Sequence, residues 1–91
     1  MKITKTASAG TMESSDIYVE VAPGEGHISV QIDSVVKAQF GEAIEASIRE
    51  TCAAMGVADA SIYVNDRGAL DCTVRARTEA ALRRAESGVE S

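Results

Sequence analysis

The stretch Ile17-Tyr18-Val19-Glu20-Val21-Ala22-Pro23-Gly24-Glu25-Gly26-His27-Ile28-Ser29-Val30-Gln31-Ile32 carries the first half of the fold. Ile17, Val19 and Val21 alternate with Tyr18 and Glu20, the period of a strand with one buried face. Ile28, Val30 and Ile32 alternate with Ser29 and Gln31 in the same way. Between them, Pro23-Gly24-Glu25-Gly26 is turn chemistry, because proline presets one dihedral and glycine accepts positive φ. The stretch predicts two strands joined as a hairpin.

The period changes near residue 34. Phe40, Ala43, Ile44, Ser47, Ile48, Thr51, Cys52 and Met55 recur at three and four, the stripe of an amphipathic helix. Asp33 or Ser34 is a candidate cap for its start and Gly56 for its end. Glu45 and Arg49 form a favourable pair four residues apart. Further on, Ile62 and Val64 alternate with Ser61 and Tyr63 and predict a strand over 60–65. Asn65-Asp66-Arg67-Gly68 reads as a turn, and Leu70, Cys72, Val74 and Ala76 alternate as a returning strand. Thr78 then caps a last helix with the stripe Ala81, Leu82 and Ala85, the pair Glu79 and Arg83, and Gly88 at its end.

These elements sum to β-β-α-β-β-α, with an additional N-terminal strand around 6–12 as an option. The expected class is α+β: two layers, a mainly antiparallel sheet packed with two helices. The length of 91 residues points to one compact domain over 1–91. Apolar residues at 45% suffice for a core, built from Val, Ile, Leu and Ala because aromatics are only 3%.

The net charge of −5 argues against nucleic-acid binding, which needs a basic face to displace counterions. Arg67, Arg75, Arg77, Arg83 and Arg84 do gather late in the chain, as a solvated face and as helix-end charges. No apolar run approaches the ~20 residues that cross a bilayer. The N-terminus has no apolar stretch of a secretory signal. A cytoplasmic protein with reduced thiols is expected.

Few groups offer catalysis or metal binding. His27 is the lone histidine and sits at a strand entrance as an exposed turn residue. Cys52 falls on the helix stripe and Cys72 on the inward strand face, so both are expected in the core, without zinc-ligand spacing. Asp66 and Asp71 flank the second hairpin as solvated or turn-forming carboxylates. No nucleophile and base can be paired, so a stand-alone enzyme is the weakest reading. No catalytic residue and no metal ligand is assigned.

What remains is Ala9-Gly10-Thr11-Met12-Glu13-Ser14-Ser15-Asp16, a short polar segment between strands that exposes Ser14 on a turn. A serine there is either an ordinary turn residue or a handle for a covalent group. Asp33-Ser34-Val35 competes, since it resembles the Asp-Ser-Leu of ordinary acyl carrier proteins, where a helix-start serine carries phosphopantetheine. The alternative for Ser34 is a helix cap, which suits a chain with strands better than a carrier bundle does.

Three blocks in order resemble the acyl carrier protein, or gamma subunit, of citrate lyase. They are Ala9–Asp16, then Lys37-Ala38-Gln39-Phe40-Gly41-Glu42-Ala43-Ile44, then Asp66-Arg67-Gly68-Ala69-Leu70-Asp71-Cys72-Thr73-Val74-Arg75-Ala76-Arg77. The resemblance implies that Ser14 is joined by a phosphodiester to 2'-(5''-triphosphoribosyl)-3'-dephospho-coenzyme A. The position after that serine is often glycine in relatives and is Ser15 here. The resemblance further implies a non-catalytic subunit of a carbon–carbon lyase, bearing the acetyl or citryl thioester while citrate is cleaved to oxaloacetate and acetate. The implied partners are the alpha (acyl transferase) and beta (citryl lyase) subunits and a prosthetic-group transferase, with magnesium belonging to the lyase partner. No nucleic acid and no membrane are expected as partners. Arg67, Arg75 and Arg77 are, by charge, candidate contacts for the phosphates of the arm. The alternative is a non-catalytic interaction or assembly module without a covalent cofactor, in which Ser14 is only a turn residue.

Overall fold

The computed structural model describes residues 1–35 and 37–86, the side chains of 37–39 apart. Its elements run β1 (Ala7–Gly10), β2 (Ile17–Ala22), β3 (Ile28–Ser34), α1 (Lys37–Ala54), β4 (Ala60–Asp66) and α2 (Asp71–Ala85). The N-terminal strand is therefore present, and the fold is α+β with a four-stranded sheet and two helices.

The sheet order is β1-β2-β4-β3. β1 and β4 both run antiparallel to β2, whereas β3 runs parallel to β4. Alternation predicted the strands β2 and β3 correctly, but not their neighbours: they are not a paired hairpin, because β4 lies between them. The Pro23–His27 connection spans the start of β4, where the Ala60 N–H donates to the His27 carbonyl at 3.2 Å and the Gly26 N–H to Asp59 Oδ1 at 3.1 Å. Gly24 passes so close that an added Cβ would lie 2.8 Å from the Ala60 nitrogen. A period of two fixes which side chains share a face; it carries no information about which strand fills the gap.

Ile17, Val19, Val21, Ile62 and Val64 form the inner face, with Val19 opposite Val64 and Val21 opposite Ile62. Burial of each such side chain stabilises the fold by ~1.5–3 kcal/mol. Helix α2 covers β1 and β2, α1 covers β3, and the helices pack against each other. From α1 come Ile44, Ser47, Ile48, Thr51 and Cys52, and burial raises the Cys52 thiol pKa. Phe40 and Ala43, on the same expected stripe, are exposed. Gly56, at φ +71°, ends α1 as expected, with the Val57 N–H reaching back to the Cys52 carbonyl at 2.9 Å.

The expected strand over 70–76 is instead the start of α2. Val74, Thr78, Ala81, Leu82 and Ala85 are its buried face, a spacing of four, three, one and three. The rival spacing of two at Leu70, Cys72, Val74 and Ala76 is accidental: Leu70, Cys72 and Ala76 are exposed. Cys72 is thus a surface thiol, not a core one. Thr78 is not a cap but a fully buried mid-helix residue whose hydroxyl donates to the Val74 carbonyl at 2.8 Å. The pairs Glu45–Arg49 and Glu79–Arg83 both form, at 2.8 and 2.9 Å. Gly88, expected to end this helix, lies outside the described residues.

Among the described residues, no helix is long and apolar enough to cross a membrane. No group of three or more His, Cys, Asp or Glu among them could hold a metal ion.

Candidate functional site

The loop between β1 and β2 is held at both ends and from within. Gly10 leaves β1 at φ +88°, and a Cβ there would lie 1.8 Å from the Ile17 carbonyl oxygen, so only glycine fits. The Thr11 hydroxyl donates to Asp16 Oδ2 at 2.7 Å and accepts the Glu13 N–H at 3.2 Å. Asp16 Oδ1 accepts the Ile17 N–H at 2.8 Å, and the Asp16 N–H donates to the Glu13 carbonyl at 3.1 Å. From α2, Arg77 closes the ring with two bonds of 3.1 Å to the two Asp16 oxygens. Ordinary exposed ion pairs contribute little. This one is bidentate, and the Asp16 side chain is only 14% exposed, so it holds the loop against α2.

The Thr11 hydroxyl, the Ile17 N–H and Arg77 together hold the Asp16 pKa down at about 2. A carboxyl whose folded pKa is depressed contributes stability above its unfolded pKa near 4, which is lost as pH falls through the folded value. Wild type is therefore expected to melt above Asp16→Asn at pH 6, with the gap narrowing below about pH 4 and closing near pH 2. Thermal melting from pH 6 to pH 2 measures it; a gap that stays constant over that range contradicts the assignment.

The far side of the loop is tied to the turn after β4. The Ser15 N–H donates to the Arg67 carbonyl and the Arg67 N–H to the Asp16 carbonyl, both at 2.9 Å, one step beyond the Ile17–Asp66 pair of the ladder. That turn is built on Asp66, which takes the turn-forming role of the two expected for it, though buried and leading into α2 rather than solvated at a hairpin. Asp66 is 1% exposed; its Oδ2 accepts the Ser34 hydroxyl at 2.9 Å and its Oδ1 the Ala69 N–H at 3.0 Å. Asp71 is exposed at the start of α2, where it accepts from the Ser47 hydroxyl and from Arg75 Nε at 2.8 Å; both partners lower its pKa.

Within this frame Ser14 is exposed, and its hydroxyl has no hydrogen-bond partner among the described residues. The Thr11 hydroxyl, the Asp16 carboxylate and the Glu13 backbone shape the loop; the Ser14 and Ser15 hydroxyls take no part in it. Ser34 is the opposite case. It ends β3, half-buried, with its hydroxyl donating to Asp66. Residue 36, directly before α1, lies outside the described residues, and with it the capping of that helix. Asp33 likewise belongs to β3. His27 is exposed in the β2–β3 connection, as expected for a turn residue.

Ser15 has φ +66°, alone among the described non-glycine residues in that region. Left-handed backbone costs an L residue about 1–2 kcal/mol, so this position favours glycine on conformational grounds. Ser15→Gly is expected to raise stability by about 1 kcal/mol, read as a higher urea midpoint at unchanged slope. A lowered midpoint would mean that the Ser15 side chain holds the loop.

An apolar groove of about 420 Å³ opens beside the same turn, lined by Phe40, Ala43, Ile44, Ala69, Leu70 and Val74. Phe40 and Leu70 on its rim are 52% and 72% exposed.

The sequence holds the decisive likeness. Citrate lyase acyl carrier protein of Pectobacterium carotovorum (strain PC1) is 51% identical over 88 residues, 97% of this chain and 92% of that protein. The chain belongs to the citrate lyase acyl carrier protein family. The family member from Haemophilus influenzae (strain PittGG) is 52% identical over 85 residues, 93% of this chain and 88% of its own. Citrate lyase acyl carrier protein 2 of Salmonella paratyphi A is 50% identical over 91 residues, 99% and 94% of the two chains. The family model that matches residues 4–85 is described as ACP, malonate decarboxylase delta subunit (MdcD). A crystal structure of a Thermus thermophilus protein shares the fold at TM-score 0.57 and 14% identity, over 91% of this chain and 16% of that one. That likeness concerns fold alone. In this citrate lyase acyl carrier family member, the sequence pointed to Ser14 but not to its frame. Thr11 and Asp16, five apart around the serine, were the available sign of a closed loop.

Proposed function

We propose that this chain is the acyl carrier subunit of citrate lyase and that Ser14 is the attachment point of its prosthetic group. One observation carries the reading: Ser14, the serine at the motif position, offers an exposed, unengaged hydroxyl on a loop held in place by Thr11, Asp16 and Arg77. The Ser15 hydroxyl is likewise unengaged, but that residue is fixed through its backbone at φ +66° and its bond to Arg67. Among the described residues no base is hydrogen-bonded to the Ser14 hydroxyl, and its activation falls in this reading to a separate transferase. What the chain supplies is presentation. Gly10, Thr11, Asp16 and Arg77 fix the loop, and exposure admits the transferase.

The group proposed derives from 2'-(5''-triphosphoribosyl)-3'-dephospho-coenzyme A. The Ser14 oxygen would take the phosphorus next to the ribose, and pyrophosphate would leave with the hydroxyl proton lost to solvent. The phosphoribosyl-dephospho-coenzyme A arm would stay in phosphodiester linkage to Ser14 Oγ. The residues fit it: the hydroxyl is a free acceptor for a phosphoryl group, and the adjoining turn carries Arg67. When bound, the group supplies a thiol that carries acyl groups for the cleavage of citrate to oxaloacetate and acetate. A tether of that length raises the effective concentration of its end at successive active sites. The proposed partners are accordingly the alpha and beta subunits of citrate lyase and the prosthetic-group transferase, with the chemistry in the cytoplasm.

The test is intact mass. Incubation of the purified chain with the family's transferase and the activated precursor is expected to add the mass of one arm per chain. No gain, with the same transferase loading a citrate lyase carrier from one of the relatives, is what an assembly module without a covalent cofactor predicts.

A further inference from the structure

The charge on the arm begins at the phosphodiester, and the loop leaves that anion few partners of its own. The Glu13, Ser15 and Asp16 N–H groups are already bonded, to the Thr11 hydroxyl, the Arg67 carbonyl and the Glu13 carbonyl. A backbone cradle of successive N–H groups is therefore closed off on both sides of Ser14. The Glu13 carboxylate, next in sequence, adds negative charge. A side-chain cation must serve.

The arginines sort cleanly. Arg77 is committed to both oxygens of Asp16, and Arg75 to Asp71 and Glu50 at 2.8 Å each. Arg49 and Arg83 hold Glu45 and Glu79, and Arg84 donates to the Ser8 carbonyl at 2.8 Å. Arg67 is different. It is exposed, forms no ion pair among the described residues, and its backbone bonds directly to Ser15 and Asp16. Its Nε donates at 3.0 Å to Oδ1 of Asn65, a largely buried residue whose Nδ2 donates in turn to the Tyr63 hydroxyl at 3.4 Å. A neutral amide thus anchors the guanidinium by one nitrogen and leaves both terminal nitrogens, the pair that suits a phosphate bidentately.

We propose that Arg67 holds the phosphodiester on Ser14 through its two terminal nitrogens, as a positioning residue that sets the direction in which the arm leaves the loop. The proposal rests on the reading of Ser14 as the attachment point. Arg75 and Arg77, equally charged in sequence, are excluded by their carboxylate partners.

The experiment compares apo and holo forms of the full chain by NMR, with loading and position first established by intact mass and peptide mapping. Attachment is expected to move the Arg67 Nε–Hε signal while that of Arg77, locked on Asp16, stays. In holo Arg67→Ala the ³¹P signal of the phosphodiester is expected to shift and narrow as the contact is lost. The docked population of the arm falls about tenfold or more, the usual weight of a charge-assisted bond. Arg67→Lys restores part of the wild-type ³¹P position, because the charge returns without the fork. An unmoved Arg67 signal in wild-type holo protein, or identical ³¹P shift and width in loaded Arg67→Ala, overturns the proposal while leaving Ser14 in place. The wild-type comparison needs no variant, so impaired loading of Arg67→Ala does not hide the answer. An arm mapped to another residue overturns the attachment reading itself, and this inference with it.

Discussion

Ser14→Ala is expected to fold like the wild type and to accept no prosthetic group at all. The side chain is exposed and its hydroxyl has no partner among the described residues, so the stability change is expected within about 0.5 kcal/mol. Loss of loading is expected to be complete, because alanine has no oxygen to take the phosphoryl group. The contrast between unchanged melting and zero mass gain separates attachment from a role in shaping the loop. Two other hydroxyls could rescue loading if the assignment were wrong. Ser34 donates to Asp66, which is 1% exposed, at the end of β3. Ser15 is the neighbour held at φ +66°. A full arm on Ser14→Ala would move the site to one of them.

Gly10→Ala is expected to be the most damaging single methyl in the loop. Two independent costs coincide there: φ +88° is unfavourable for any side chain, and the new Cβ would lie 1.8 Å from the Ile17 carbonyl oxygen. Backbone, unlike the end of a long side chain, cannot swing away. The expected loss is ~3 kcal/mol or more, a large part of the 5–15 kcal/mol typical of a folded protein. Gly26→Ala is the control, since φ there is +98° but nothing lies within 4 Å of the added atom. It is expected to cost only the conformational part, about 1 kcal/mol. Urea unfolding of the two variants measures both. Equal losses would mean that the Ile17 contact relaxes and that Gly10 does not hold the loop in register.

How much of this was legible beforehand depended on what each pattern encodes. The strands Ile17–Ala22 and Ile28–Ser34 were plain, because alternation is a local consequence of one buried face. Their separation by β4 was not, since strand order is set by long-range packing that the pattern does not record. The misreading of residues 70–76 came from an accidental alternation. Counting Thr78 as apolar would have exposed the helical stripe Val74, Thr78, Ala81, Leu82, Ala85. The Asp71–Arg75 pair, four apart, pointed the same way. At the site, Ser14 stood out by residue type and by resemblance. Its frame did not, because the partner of Asp16 is Arg77, 61 residues later on another element. For the same reason, charge alone left Arg67, Arg75 and Arg77 equivalent. Only their carboxylate partners distinguish them.

The central claim, that one exposed hydroxyl tethers the acyl-carrying arm, is tested most directly by peptide mapping of the protein isolated from its natural host. Fragmentation of the peptide spanning residues 11–16 is expected to show the phosphodiester-linked adduct on Ser14 and an unmodified Ser15. An unmodified peptide from protein drawn out of active citrate lyase, or an adduct on any other residue, would contradict the account.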